Sequence, residues 1–248
     1  MTGDRPTIAA FRPDDDRMAD AVALLESLGT EPLADPMLAV EPMGGLPRED
    51  AEYTILTSKT GADLVEGTGW RPGGRLCAIG EATADALRAA GYEVDVVPGE
   101  YTSAGMVDRL FGEVDGARVE VARSDHGSAV LLEGLEAAGA YVHETILYRL
   151  VRPEGAGVST ERAAEGALDG VLFTSSLTVE HFLDAATERG IAEAARAGLA
   201  DAVVGAIGDP TRETAEDHGL DVDVVPERAD FEALARAVVE RASEAGEG

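Results

Sequence analysis

The sequence predicts an α/β fold of two parallel-sheet domains. Three observations predict it. Short apolar runs alternate with amphipathic helical patterns along the whole chain, the signature of strand–helix–strand units. The chain repeats itself: Ala78–Pro98 (AIGEATADALRAAGYEVDVVP) and Ala206–Pro226 (AIGDPTRETAEDHGLDVDVVP) are identical at ten of 21 positions. Its 248 residues, 45% hydrophobic, suffice for one large core or two smaller ones.

TIAAF (Thr7–Phe11) reads as a strand. DRMADAVALLESLG follows as a helix, with Met18, Val22, Leu25 and Leu28 on one face and Gly29 as its stop. LADPMLAVEP is extended, interrupted by Pro36 and Pro42. Then come YTILT (strand), GADLVEGTG (short helix), RLCAIG (strand), ATADALRAAG (helix) and EVDVVP (strand). SAGMVDRLFGEV is a helix, RVEVA a strand and HGSAVLLEGLEAAG a helix ending at glycine. AYVHETILYRLVRP is a second long extended segment. The order then recurs as GVLFT (strand), SLTVEHFLDAATERG (helix), DAVVGAIG (strand), PTRETAEDHG (helix), DVDVVP (strand) and DFEALARAVVERASEAG (helix). The last residues, SEAGEG, look frayed.

The repeat is wider than these two stretches. AFRPD (Ala10–Asp14) matches VARSD (Val121–Asp125), and ILTS (Ile55–Ser58) matches LFTS (Leu172–Ser175). The changing offsets place insertions mainly between about residues 185 and 200. Each copy is domain-sized. Open parallel sheets bind ligands beyond the carboxyl ends of their strands, so two such sheets would offer equivalent loops to one groove.

Composition narrows the class. Asp and Glu number 48 against 20 Lys and Arg, a net charge of −28, and Lys59 is the lone lysine. Such self-repulsion is screened at molar salt, so the balance predicts a salt-adapted, halophilic cytoplasm; a cation or basic partner is the alternative. Nucleic-acid binding needs a basic surface and is excluded. No apolar run is long enough for a membrane span, and MTGDRPTIAAFRPDDD has no secretory pattern. One cysteine, Cys77, permits no intrachain disulfide. Cytoplasmic location and a monomer are the defaults. No GxGxxG, GxxxxGK[ST] or GxSxG occurs, so dinucleotide, NTP and hydrolase readings lack support, and the four histidines lack zinc-like spacing, so no metal is expected.

Candidate site residues sit where strands pass into helices. Thr57-Ser58 and Thr174-Ser175-Ser176 do so, as do Thr83 and Thr211, three residues past Gly80 and Gly208. Hydroxyls there cap backbone N–H groups, or help four helix N-termini hold an anionic ligand. Arg12 and Arg123 share an equivalent strand-end place, for a surface ion pair or a bidentate carboxylate contact. Tyr148 lies near the end of the second extended segment, for packing or for proton donation.

The TS turns, the two AIG-x-x-T elements, the VVP endings, ETILYRL and FTSSLTVEHF together resemble the uroporphyrinogen-III synthase family. The likeness runs from about Thr7 to Val239. It implies two flavodoxin-like (Rossmann-like) α/β domains swapped relative to the repeat: residues 1–35 with 151–248, and 42–140, joined by a two-stranded linker at 36–41 and 141–150. It implies hydroxymethylbilane as substrate, uroporphyrinogen III as product, loss of water and no cofactor. Tyr148 matches the family's linker tyrosine, proposed to protonate the departing hydroxyl. Thr57, Ser58, Thr83, Thr174, Ser175 and Thr211 match cleft-lining turns, and Thr102 and Ser103 match another. The second copy has Ala229-Asp230 at that last turn, so symmetry fails there. Family support for Arg12 and Arg123 is weaker. Many members carry proline in the TS turns, where this chain has Lys59 and Ser176. The competing readings are a two-lobed small-molecule sensor without chemistry and a sugar-nucleotide transferase, the latter lacking an acidic metal motif.

Overall fold

The structure, a computed structural model, describes residues 5–246. In chain order its elements are β1 (Thr7–Phe11), α1 (Asp16–Ser27), β2 (Glu31–Ala34), β3 (Ala39–Pro42), β4 (Tyr53–Leu56), α2 (Lys59–Val65), β5 (Arg75–Ala78), α3 (Glu81–Ala89) and α4 (Ser103–Leu110). There follow β6 (Arg118–Ser124), α5 (Ala129–Ala137), β7 (Tyr141–Val151), α6 (Val158–Ala164), β8 (Gly170–Phe173), α7 (Ser176–Glu188), α8 (Ala192–Ala200), β9 (Val203–Ala206), α9 (Asp209–Asp217) and α10 (Phe231–Gly246). Two compact units result, one of residues up to Ala39 and from Val151 onward, the other Val40–Leu150.

The first unit's sheet has the order β2-β1-β8-β9, with every neighbour parallel. It therefore takes strands from both ends of the chain. Along β1 the side chains alternate between two cores. Ala9 and Phe11 join Val171, Phe173 and Phe182 on one face. Ile8 and Ala10 join Leu172, Leu234 and Val238 on the other. Few aromatics are present, but three of them meet here: Phe11, Phe173 and Phe182 have ring centroids 5.0–5.8 Å apart. Both faces are buried, as a parallel sheet requires.

The second unit's sheet has the order β3-β7-β6-β4-β5. Neighbours from β7 through β5 are parallel. Ile55, Val119 and Val121 face one core, while Leu56, Leu76 and Ala122 face the other. Aligning β6 with β1 and β4 with β8, as the repeat does, gives β7-β6-β4-β5 the same order as β2-β1-β8-β9, with β3 as an added edge strand. In each sheet, strands of one copy pair with strands of the other.

Of the segments expected as linker strands, 141–150 lies in β7, which also pairs with β6 from Arg118 to Ser124, and 39–41 lies in β3, which hydrogen-bonds to β7. Two expectations change. The two VDVVP segments are not strands but single bridges, Cys77 to Val96 and Gly205 to Val224. Their aspartates explain this: the Asp95 carboxylate accepts from the Leu76 N–H at 2.7 Å, and Asp223 from Val204 at 2.9 Å. A side chain thus takes a ladder rung and ends regular pairing. Finally, α6 and α8 occupy stretches without a predicted helix. Asp35, 1% exposed, accepts from the Gly157 and Ser159 N–H groups at 2.9 Å and so caps α6 from far away in sequence.

Candidate active site

In parallel sheets all carboxyl ends lie along one edge, which collects the strand-to-helix turns. In the second unit, Thr57 and Ser58 follow β4. Ser58 caps α2, accepting from the Gly61 N–H at 3.0 Å. Tyr148 reaches it from β7 and donates its phenolic proton to Ser58 Oγ at 2.9 Å. Ser58 thus accepts twice and keeps its own proton to give. Tyr148 is only 6% exposed, so Ser58, half-buried, is the nearer of the two to solvent.

A bulge aims the tyrosine. Arg123 pairs with Ile146, but the next residue, Ser124, pairs with Tyr148. Leu147 is the extra residue. Leu147 and Tyr148 consequently pack in the same core cluster, where a regular strand would send them to opposite faces.

The other second-unit turns divide by role. Thr102 caps α4, accepting from Gly105 N–H at 3.0 Å, and Ser103 begins that helix. Gly80 is the N-cap of α3 and supplies no side-chain cap. Thr83, 4% exposed, lies inside the first turn of α3. The first unit repeats the scheme. Ser175 caps α7 in a capping box with Thr178. Thr174 Oγ1 donates to the Phe11 carbonyl at 2.5 Å, tying the end of β8 to the end of β1. Gly208 caps α9 without a side chain, and Thr211 is 3% exposed within it. Thr83 and Thr211, expected to line the site with hydroxyls, are thus turned inward. The polar groups these two turns leave without intrahelical partners are backbone N–H groups. They differ in number, because Pro210 has no N–H where α3 has Ala82.

The two arginines part company. Arg123 is 7% exposed; its Nε donates to Glu144 at 2.5 Å and its Nη1 to the Ser128 carbonyl at 2.6 Å. It is bound inside its own unit, which argues against the expectation that it meets substrate. Arg12 follows β1 with its guanidinium carbon 4.5 Å from the Phe231 ring centroid. Among the described residues no carboxylate lies within ion-pair distance of it. Burial lowers its pKa from the usual value, as does Arg17, against Asp15, Asp20 and Asp230. It stays charged regardless.

Pairing register explains the difference. Val121 faces Glu144 on β7, but the equivalent Ala10 faces Ala34 on β2. The arginine of the first copy therefore has no carboxylate across the ladder. Phe231 supplies a ring instead, at the place where the second unit carries Ser103: aligning Pro98 with Pro226 sets Asp230-Phe231, and not Ala229-Asp230, against Thr102-Ser103, and Asp230 caps α10 as Thr102 caps α4, accepting from the Ala233 N–H at 3.0 Å. Neither Glu144 nor Phe231 carried a sequence signal; only their tertiary neighbours give them a role.

Residues 19–236 match the family model described as uroporphyrinogen-III synthase HemD. The chain belongs to the uroporphyrinogen-III synthase family. Members of the uroporphyrinogen-III synthase family are lyases of tetrapyrrole biosynthesis. A Methanothermobacter thermautotrophicus protein, provisionally named a uroporphyrinogen-III synthase, is 32% identical over 242 aligned positions, covering 89% of this chain and 92% of that one. The Chlorobaculum parvum uroporphyrinogen-III synthase is 25% identical over 169 positions, covering 67% and 66%. The fold is similar to that of a mutant uroporphyrinogen III synthase from Thermus thermophilus, with TM-score 0.65 at 21% identity over 96% of this chain and 99% of that one. The Helicobacter pylori uroporphyrinogen-III synthetase gives TM-score 0.63 at 14% identity, again over 96% and 99%.

Proposed function

We propose that the chain closes hydroxymethylbilane, a linear tetrapyrrole with eight carboxylates, to uroporphyrinogen III. The observation that carries this, beside family membership, is the Tyr148–Ser58 hydrogen bond at a strand-end turn. It supports a route for one proton. Ser58 gives its proton to the departing hydroxyl of the first ring and takes that of Tyr148. The carbon–oxygen bond breaks with its electron pair going to oxygen, and water leaves. The resulting azafulvene is attacked by the substituted carbon of the last ring, giving a spiro intermediate. Fragmentation and reclosure leave that ring inverted, and the proton lost at closure restores the tyrosine. The reaction consumes no oxidant or reductant.

Substrate carboxylates have three kinds of ligand. Arg12 can hold one through two parallel hydrogen bonds. The N-termini of α3 and α9 offer backbone N–H groups and the positive end of the helix dipole. The turns at Thr57, Thr102, Ser103 and Ser175 add hydroxyls, whereas the Thr174 proton is engaged by the Phe11 carbonyl. Spontaneous closure gives the symmetric isomer, so the enzyme must hold the chain bent for ring inversion, which is catalysis largely by orientation. We place the protein in the cytoplasm as a monomer; among the described residues no helix is long and apolar enough to cross a membrane.

The test is freshly made hydroxymethylbilane followed by resolution of product isomers. Isomer III in excess over the uncatalysed control supports the reading. Isomer I alone overturns it, and tight binding without turnover would mark a sensor instead.

A further inference from the structure

We propose that Tyr101 is a specificity-determining residue of this reaction, supporting one pyrrole ring of the substrate at the N-terminus of α3. This rests on the function proposed above. Tyr101 is 60% exposed, although it lies in a loop between two closely packed anchors. Before it, the Glu100 carbonyl lies so close to Gly105 that a Cβ there would sit 2.2 Å away. After it, Thr102 caps α4. Among the described residues its hydroxyl has no hydrogen-bond partner. The root of its ring rests on Gly80, where a Cβ would come within 3.1 Å of Tyr101 Cβ and Cγ. Gly80 has φ −169°, extended backbone that any residue adopts. Glycine is therefore suited here to the space the tyrosine occupies, and backbone conformation does not require it.

The equivalent turn of the other copy lacks this feature. Ala229 aligns with Tyr101, and a Cβ at Gly208 would meet only Pro210 Cδ, at 4.0 Å. That difference matches a need of the chemistry. The substrate's carboxylates are distributed over all four of its rings, so repeated carboxylate-holding turns do not tell one ring from another. The product requires that the last ring alone be inverted. An aromatic side chain at one turn and none at its twin breaks the symmetry, because it adds stacking to a pyrrole face at one end only. A loop held on both sides also loses little freedom when the ring is covered.

The experiment compares Tyr101→Ala and Tyr101→Phe with the unaltered chain, measuring kcat, KM and the ratio of isomer III to isomer I. Thermal unfolding serves as the folding control. Tyr101→Ala should raise KM by about two- to tenfold and shift product toward isomer I, with the melting temperature unchanged. Tyr101→Phe should keep both values, since the ring and not the hydroxyl is invoked. Unaltered KM and isomer ratio in Tyr101→Ala overturn the proposal while leaving the function standing. Loss in Tyr101→Phe equal to that in Tyr101→Ala overturns it too. If the unaltered chain yields isomer I alone, the function itself falls and the proposal with it.

Discussion

Replacing Arg12 and Arg123 by glutamine, one at a time, should do damage of opposite kinds. The two align in the repeat, but their surroundings differ. Arg12 touches the Phe231 ring, a contact of about 0.5–1 kcal/mol at a partly exposed site. Arg12→Gln should therefore lower the melting temperature by no more than about 2–4 °C. Hydrogen bonds to a charged group contribute about 1.5–3 kcal/mol, so losing the guanidinium should raise KM by about ten- to 150-fold. Arg123→Gln leaves Glu144 and the Ser128 carbonyl without their donor. Breaking a fully buried pair from one side costs about 3–5 kcal/mol. The Glu144 side chain is 34% exposed and can rehydrate, which reduces the loss to about 1–3 kcal/mol. The melting temperature should then fall by about 3–10 °C while KM stays put. Steady-state kinetics with isomer-resolved product and thermal unfolding in one buffer measure both. A larger KM change in Arg123→Gln than in Arg12→Gln would refute the reasoning, because alignment and not local partners would then set the role.

Three further outcomes are expected. Tyr148→Phe and Ser58→Ala should each lower kcat by about 10²- to 10⁴-fold, and the double variant no further, since both serve one proton; additive losses in the double-mutant cycle would break the relay. With a net charge of −28 facing a polyanionic substrate, kcat/KM should rise from dilute buffer to molar KCl, where the Debye length shrinks to about 3 Å; equal or better turnover in dilute buffer would remove the salt-adaptation reading. Burial pushes the Cys77 thiol up to about 12, so at pH 8 only about one molecule in ten thousand carries a thiolate there. A chromogenic disulfide should therefore label the native chain no faster than it unfolds, and one equivalent rapidly in urea; fast native labelling would show the thiol to be accessible.

Much of the local architecture could be read directly. Strand and helix identities follow from apolar period, and Gly29 ends α1 at φ +84° where its placement predicted a stop. Ser58 and Ser175 could be named as turn hydroxyls because capping is a short-range interaction, while Thr102 was named only through the family resemblance. Family resemblance added the substrate and singled out Tyr148. Helices α6 and α8 escaped because they are short and lean on distant partners, Asp35 for α6 and close packing of Gly198 against Ala163 for α8. The VDVVP segments misled because they are apolar alternations whose aspartates bond back to the neighbouring strand.

What the sequence by itself determined is therefore the repeat, its elements and the chemistry of its turns, all set by residues within a few positions of one another. What only the tertiary structure decided is which copy's residues are free to act. Arg12 and Arg123 are indistinguishable along the chain. One meets a carboxylate and the other a phenyl ring because register sets Glu144 opposite Val121 but Ala34 opposite Ala10. A bulge of one residue places Tyr148 against Ser58, and a held loop lays Tyr101 over Gly80. Charge pairing and burial depend on atoms a few ångströms apart, and those atoms come from strands and loops far apart in sequence.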